Sequence, residues 1–303
     1  MKRDLLTLTD LSAEEIQRLI DRAIDLKVRR QRGILDRPLM GKTVGLLFDK
    51  ASTRTRVSFE AAAIRLGGGS IFISARDTQL ARNEPIADTA RVLGGYLDAL
   101  VIRTYAQQTV ADYARYAAVP VVNALTDDYH PTQILADLMT VVEVKGDFKG
   151  LRLAWVGDGN NMANSWLNAA AILGLELALA CPEGYRPRAD LLEKAMTAPG
   201  AKVTLTTDPK EAVAGADAVN TDVWASMGHE GQEAARAEAF AGFTVDSALL
   251  SAASPEAVVL HCLPAHRGEE ISAEVLEGPR SVVWRQAENK MHMAAAILEW
   301  LVK

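Results

Sequence analysis

Short apolar runs alternating with stretches of helical periodicity recur along this chain, and that alternation restricts it to an α/β architecture. Runs at residues 44–48, 70–73, 99–102 and 119–123 form a first series; runs at 151–156, 175–180, 203–205, 218–220 and 258–260 form a second. Parallel strands need long crossover connections, and helices supply them. The 303 residues exceed what one core ordinarily organises. The expectation is two open parallel-sheet α/β domains, residues 1–145 and 146–286, with a hinge at Lys145-Gly146-Asp147-Phe148-Lys149-Gly150. A last helix, 287–303, carries Met291, Ala294, Ala295, Ile297, Leu298 and Leu301 and packs back on the first domain.

The turn after the first run reads Ser52-Thr53-Arg54-Thr55-Arg56, and Phe59, Ala62, Ala63 and Leu66 continue it at helical spacing. Hydroxyls, guanidinium groups and unpaired backbone N–H groups at a helix N-terminus make an anion cradle, most naturally for a phosphate. Arg103 ends the run 99–102, and ligands of open α/β sheets collect outside the carboxyl ends of strands. His130 and Gln133 flank Pro131 at another helix mouth, where proline suits the first helical position. The polar stretch 75–84 is longer than a connector needs, which suits a lid or a reach to a neighbouring subunit. At the chain's start, Ser12 and Glu15 have capping-box spacing for a helix to about residue 30.

In the second series, Gly157-Asp158-Gly159-Asn160-Asn161-Met162 approaches a dinucleotide fingerprint, but Met162 stands where the third glycine belongs. Asn161 instead offers an amide to a polar substrate. Thr221-Asp222-Val223-Trp224-Ala225-Ser226-Met227-Gly228 combines a carboxylate, a hydroxyl and a glycine-ended turn; the charged, Ala/Glu-rich residues 228–241 read as a loop with a helix. His261-Cys262-Leu263-Pro264 follows the last run; no second Cys/His pair with suitable spacing accompanies it, so no metal is expected.

Composition narrows the partners. A net charge of −6 argues against general nucleic-acid binding while allowing a local basic pocket. No run reaches membrane-span length, and Met1-Lys2-Arg3-Asp4 leads into no signal-peptide core, so no membrane and a cytoplasmic location are expected. Cys181 and Cys262 lie far apart and give no disulfide framework.

Four separated motifs, Ser52-Thr53-Arg54-Thr55-Arg56, His130-Pro131-Thr132-Gln133, Asp222-Val223-Trp224-Ala225-Ser226-Met227-Gly228 and His261-Cys262-Leu263-Pro264, together resemble the ornithine carbamoyltransferases of the aspartate/ornithine carbamoyltransferase superfamily. The resemblance implies a carbamoyl-phosphate domain, an amino-acid domain, two interdomain helices, and a homotrimer or multiple of one with active sites between subunits. It implies transfer of the carbamoyl group of carbamoyl phosphate to the side-chain amine of L-ornithine, giving L-citrulline and phosphate in arginine metabolism, with no cofactor. Ser52, Thr53, Arg54 and Thr55 would hold the phosphate; Arg103 would bridge phosphate and carbonyl oxygen, and His130 would donate to that oxygen; Gln133 would accept from the carbamoyl NH2. Gln79 matches a residue contributed by the adjacent chain. Asn161, Asp222, Ser226 and Met227 would surround the α-amino and α-carboxylate groups of ornithine. Cys262 and the Leu263 carbonyl would face the attacking amine and the carbamoyl group. Arg103, His130, Asp222 and Cys262 would be the catalytic set. Lys290 joins the carbamoyl-phosphate-binding set, standing where many of these enzymes have arginine; it keeps the charge and loses the planar fork.

Other acceptors fit the same chemistry. Aspartate is disfavoured by the Asp222 turn, putrescine lacks the α-carboxylate, and an N-acylated ornithine stays open. A non-catalytic paralogue binding an anion or a protein is disfavoured by the intact Arg54, Arg103, His130, Gln133, Asp222 and Cys262.

Overall fold

The computed structural model describes residues 2–74, 84–225 and 231–302. By contact the chain divides into two units, Met1–Met139 with Glu288–Lys303, and Thr140–Ala287. The first unit contains α1 (Ala13–Gln31), β1 (Thr43–Phe48), α2 (Thr53–Arg65), β2 (Gly69–Ser74), α3 (Ile86–Tyr96), β3 (Ala99–Arg103), α4 (Gln107–Tyr116) and β4 (Val121–Leu125), and α5 (Pro131–Lys145) begins in it. The second contains β5 (Arg152–Val156), α6 (Asn161–Leu173), β6 (Glu176–Ala180), α7 (Ala189–Thr197), β7 (Lys202–Thr206), α8 (Pro209–Val213), β8 (Ala218–Thr221), α9 (Glu233–Ala239), α10 (Ser247–Leu250), β9 (Val258–His261) and α11 (Ala273–Leu276). The last helix, α12 (Val283–Val302), starts in the second unit and finishes in the first. No described helix is long and apolar enough to cross a membrane.

Both sheets are parallel, as the alternation predicts. The first has the order β2-β1-β3-β4 and the second β7-β6-β5-β8-β9. In the first, the crossovers leave β1 and β3 in opposite directions; in the second, β5 and β8 do the same. Each sheet therefore has one switch point, where a crevice opens at the carboxyl ends of the strands. Phe48 is paired with Arg103 at the first switch point, and Val156 with Thr221 at the second.

Local signals account for the helix starts. The Ser12 and Glu15 side chains form the anticipated capping box ahead of α1, and Ser52 Oγ accepts from the Thr55 N–H at the start of α2. Strand β4 begins two residues later than the apolar run suggests, because Pro120 has no N–H for the ladder and contributes only its carbonyl, to Leu100. Leu5 then pairs beside Val122 and covers the outer edge of β4. Helix α12 begins four residues before the expected Ala287: Val283 is fully buried in the second unit's core, and Gln286 accepts the His261 N–H at 2.8 Å.

Each unit has its own apolar core. Leu47, Leu100, Ile102, Val110, Tyr113 and Val121 belong to that of the first, and Val156, Val219, Phe240, Ile271 and Val283 to that of the second. Within the first unit, α12 is tied to α1 by Arg22 to Glu299 (2.9 Å) and Lys27 to Asn289 (2.7 Å). His292 on α12 is buried, and burial chiefly, with Arg30, Lys27 and Arg65 adding and Glu288 opposing, lowers its pKa to about 4. The unfolded chain, with His292 near 6.5, then binds the proton more readily than the folded one. Stability should hold above about pH 6.5, fall as pH drops from there toward 4, and level off below. Thermal unfolding across that range should show a flatter acid limb for His292→Gln; an unchanged limb would remove His292 as the cause.

Candidate active site

At the first switch point, β1 delivers the turn that starts α2. Ser52 caps the helix, Thr53 and Arg54 are exposed at its first turn, and Thr55 is buried beneath them. Arg56 points elsewhere: its guanidinium lies 3.5 Å over the Phe72 ring and donates to Glu60 at 3.0 Å, one helical turn on. Lys50, just ahead of the turn, is buried, paired with Asp127 and 4.3 Å from the Tyr105 ring centroid. Arg103, at the end of β3, is only 6% exposed.

The mouth of α5 belongs to the same unit. His130 is buried, with Thr132 Oγ1 3.5 Å from Nδ1 and Lys290 Nζ 3.4 Å from Nε2. Burial first, then the charges of Lys290 and Arg103, holds its pKa well below the ordinary histidine value, so the ring is neutral at neutral pH. Lys290 also donates to Gln133 Oε1 at 2.8 Å, and Gln133 Nε2 donates to the buried Asp137 at 2.8 Å. An ammonium only donates and a carboxylate only accepts, so the amide orientation of Gln133 is forced. Its Oε1 keeps a second lone pair.

At the second switch point, the turns after β5, β8 and β9 converge. Cys262 Sγ donates to Asp222 Oδ1 at 3.0 Å, and Asn160 Nδ2 donates to Asp222 Oδ2 at 3.2 Å. Asn160 also caps α6, its Oδ1 accepting from Met162 and Ala163, while the neighbouring Asn161 is buried as the first residue of the helix. Leu263 has φ +61°, a left-handed backbone unusual for leucine, and its N–H donates to His261 Nδ1 at 2.9 Å. Nδ1 is therefore an acceptor, and the Nε2–H of His261 donates to the buried Glu270 at 2.8 Å.

The sequence carries both halves of one known pair of domains. Residues 3–143 match the carbamoyl-P binding domain of aspartate/ornithine carbamoyltransferase, and residues 149–301 match the Asp/Orn binding domain. The chain belongs to the aspartate/ornithine carbamoyltransferase family. Within that family it is 56% identical over 299 residues to the ornithine carbamoyltransferase of Desulfotalea psychrophila, covering 99% of each chain. It is 51% identical to the anabolic ornithine carbamoyltransferase of Pseudomonas aeruginosa over 99% of this chain and 97% of the relative. Its structure is similar to that of ornithine carbamoyltransferase from Pyrococcus furiosus, with a TM-score of 0.93, 47% identity, and coverage of 98% and 96% of the two chains.

The residues picked out in the sequence thus fall into two groups in this carbamoyltransferase. Ser52, Thr53, Arg54, Thr55, Arg103, His130, Gln133 and Lys290 lie in the first unit; Asn161, Asp222, Cys262 and Leu263 lie in the second. Gln79, Ser226 and Met227 lie outside the described residues. Asp137 and Asn160 had not been singled out, although a carboxylate four residues after Gln133 and a second asparagine at a helix start are both local signals. The glycines of the 157–162 turn serve the chain itself: a Cβ on Gly159 would fall 2.1 Å from the Pro187 nitrogen, and Asn160 already meets the helix N–H groups. Asp222, His261 and Cys262 come together closely enough to suggest a metal. His261, however, commits one ring nitrogen to Leu263 and the other to Glu270, leaving no lone pair to coordinate.

Proposed function

We propose that the chain is an ornithine carbamoyltransferase, which transfers the carbamoyl group of carbamoyl phosphate to the side-chain amine of L-ornithine and releases L-citrulline and phosphate, a step of arginine metabolism. Relatives of that name align with it over essentially its full length. The observation that carries the choice of acceptor is the Cys262–Asp222–Asn160 cluster, in which a carboxylate is held by two side-chain donors and the Val223 N–H at the second switch point. A fixed carboxylate attracts a diamino acid and repels the side chain of aspartate.

In this reading Ser52, Thr53, Arg54 and Thr55 hold the phosphate at the N-terminus of α2, where hydroxyls, peptide dipoles and a guanidinium act together. Gln79 joins them from an adjacent chain. Arg103 spans phosphate and carbonyl oxygen, the neutral His130 donates to that oxygen, and Gln133 Oε1 accepts from the carbamoyl NH2. Lys290 steadies both His130 and Gln133. Asn161, Asp222, Ser226 and Met227 orient the ornithine α-groups. The deprotonated side-chain nitrogen attacks the carbonyl carbon, an oxyanion forms beside Arg103 and His130, and the C–O bond to phosphate breaks. The amine proton passes to Asp222 by way of the Cys262 thiol, which hands its own proton to the carboxylate as it receives one, and the Leu263 carbonyl faces the reacting groups. Cys262 stays a thiol hydrogen-bonded to Asp222, since direct attack needs no covalent intermediate.

We also assign the enzyme to the cytoplasm and to a homotrimer or a multiple of one. The second assignment draws support from exposed apolar side chains: Val57 and Ile64, seven residues apart on α2, and Ile71 on the edge strand β2 are each at least half exposed. A sedimentation mass of one chain would remove the trimer. The activity is tested by supplying carbamoyl phosphate with ornithine, aspartate, putrescine or N-acetylornithine and measuring phosphate and carbamoylated product. Ornithine should be strongly preferred. Turnover with none of them, or a preference for aspartate, would overturn the reading.

A further inference from the structure

Arg236 is a buried arginine that no step of the chemistry uses. It sits in the middle of α9, 6% exposed, in a segment otherwise rich in alanine and glutamate. Its Nη1 donates to Asp158 Oδ2 at 2.7 Å and to the carbonyl of Trp224 at 2.5 Å, and its guanidinium lies 4.9 Å from the Tyr185 ring centroid. The two hydrogen-bond acceptors, Asp158 and Trp224, belong to two different turns. Asp158 is two residues before Asn160, which caps α6 and donates to Asp222; Trp224 is two residues after Asp222. The contacts close a ring: Arg236 to Asp158, along the chain to Asn160, across to Asp222, along the chain to Trp224, and back to Arg236. Beneath it, Trp224 stacks on Phe240 at 5.6 Å, and Tyr185 and Phe243 meet Phe240 edge-on.

We propose that Arg236 is a positioning residue for ornithine, fixing the turn after β5 and the turn after β8 at the separation that the amino acid's α-groups require. The proposal rests on the ornithine reading above. Removing the cation breaks a buried ion pair with Asp158, so a large truncation endangers folding as well as geometry. A lysine keeps the charge but not the planar fork, and neutralising both partners removes the pair without unbalancing its charge. These three changes separate geometry from stability.

The test measures steady-state constants for both substrates in Arg236→Lys, Arg236→Gln, Asp158→Asn and the double variant R236Q/D158N, with thermal unfolding as the control for folding. Citrulline formation by the wild type is established first; its absence would sink the ornithine reading itself. With an active wild type, each folded variant should raise the ornithine KM, about tenfold in Arg236→Gln or in the double variant and less in Arg236→Lys. The carbamoyl phosphate KM should stay within twofold. The affinity for norvaline, which has the α-groups without the side-chain amine, should weaken by the same factor. The effects of Arg236→Gln and Asp158→Asn should be markedly less than additive. If Arg236→Gln does not fold, Arg236→Lys and the double variant carry the test. An ornithine KM within threefold of wild type in the folded Arg236→Gln or double variant overturns the proposal, as does a parallel rise in the KM of both substrates.

Discussion

Arg103→Met should lower kcat/KM for carbamoyl phosphate by about a thousandfold, close to 4 kcal/mol of transition-state stabilisation. Arg103 is the last residue of β3, paired in register with Phe48 of β1, so the sheet aims it at the same crevice as the Ser52 turn. It is buried, and a charge there acts at lower effective dielectric than a surface arginine does. Its field already reaches His130, where it helps to keep the imidazole neutral. In the proposed reaction that field falls on the phosphate of the bound substrate and on the carbonyl oxygen as it becomes an oxyanion. The second interaction strengthens in the transition state, so kcat should fall more than the carbamoyl phosphate KM rises. Methionine keeps much of the side chain's apolar stem, which limits the loss to charge and hydrogen bonding. The same substitution should raise the pKa of His130, because one of the cations opposing its protonation is gone. A kcat/KM within tenfold of wild type in the folded variant would take Arg103 out of the reacting centre.

The elements that announced themselves in the sequence are those whose signals are local. Ser12 with Glu15, and Ser52 ahead of α2, carry their caps within one helical turn, and both helices begin where those residues indicate. The polar turns after β1, β5, β8 and β9 stand out because a parallel sheet exposes its strand ends and the chain must change composition there. Helix α4 was not visible: Ala106 at its start makes no side-chain cap, so nothing marks the transition from β3. Contacts between distant segments were equally silent. Lys290 reaches Gln133 across 157 residues, and no spacing rule connects a helix near the C-terminus to the mouth of α5. Arg236 was hidden for another reason. An arginine in an alanine- and glutamate-rich helix reads as a solvated face, and only the three-dimensional approach of Asp158 and Trp224 shows it to be buried. Position along a strand was therefore a better guide to the site than residue type.

Asp222→Asn should reduce kcat/KM for ornithine by about a hundredfold, the size expected for losing a hydrogen bond to a charged group, while the carbamoyl phosphate KM stays near wild type. Asp222 is well suited to carry that much. Its Oδ1 accepts from Cys262 Sγ and the Val223 N–H, and its Oδ2 accepts from Asn160, so the carboxylate is fixed before substrate arrives. An asparagine in its place presents an NH2 to at least one of these donors and loses the negative charge. The pH profile separates a charge effect from a loss of shape. The reacting amine is protonated in water below about pH 10.4, the lysine-like value, and only its neutral form attacks. A nearby carboxylate favours the ammonium and raises the pKa of the bound amine; neutralising that carboxylate lowers it. The acid limb of the kcat profile should therefore move to lower pH in Asp222→Asn even as the ornithine KM rises. Cys262→Ala removes a thiol donor but keeps the carboxylate charge, so it should shift that limb less. A limb that stays fixed in Asp222→Asn would mean that the carboxylate grips ornithine without sensing the reacting nitrogen, and the relay through Cys262 and Asp222 would have to be abandoned.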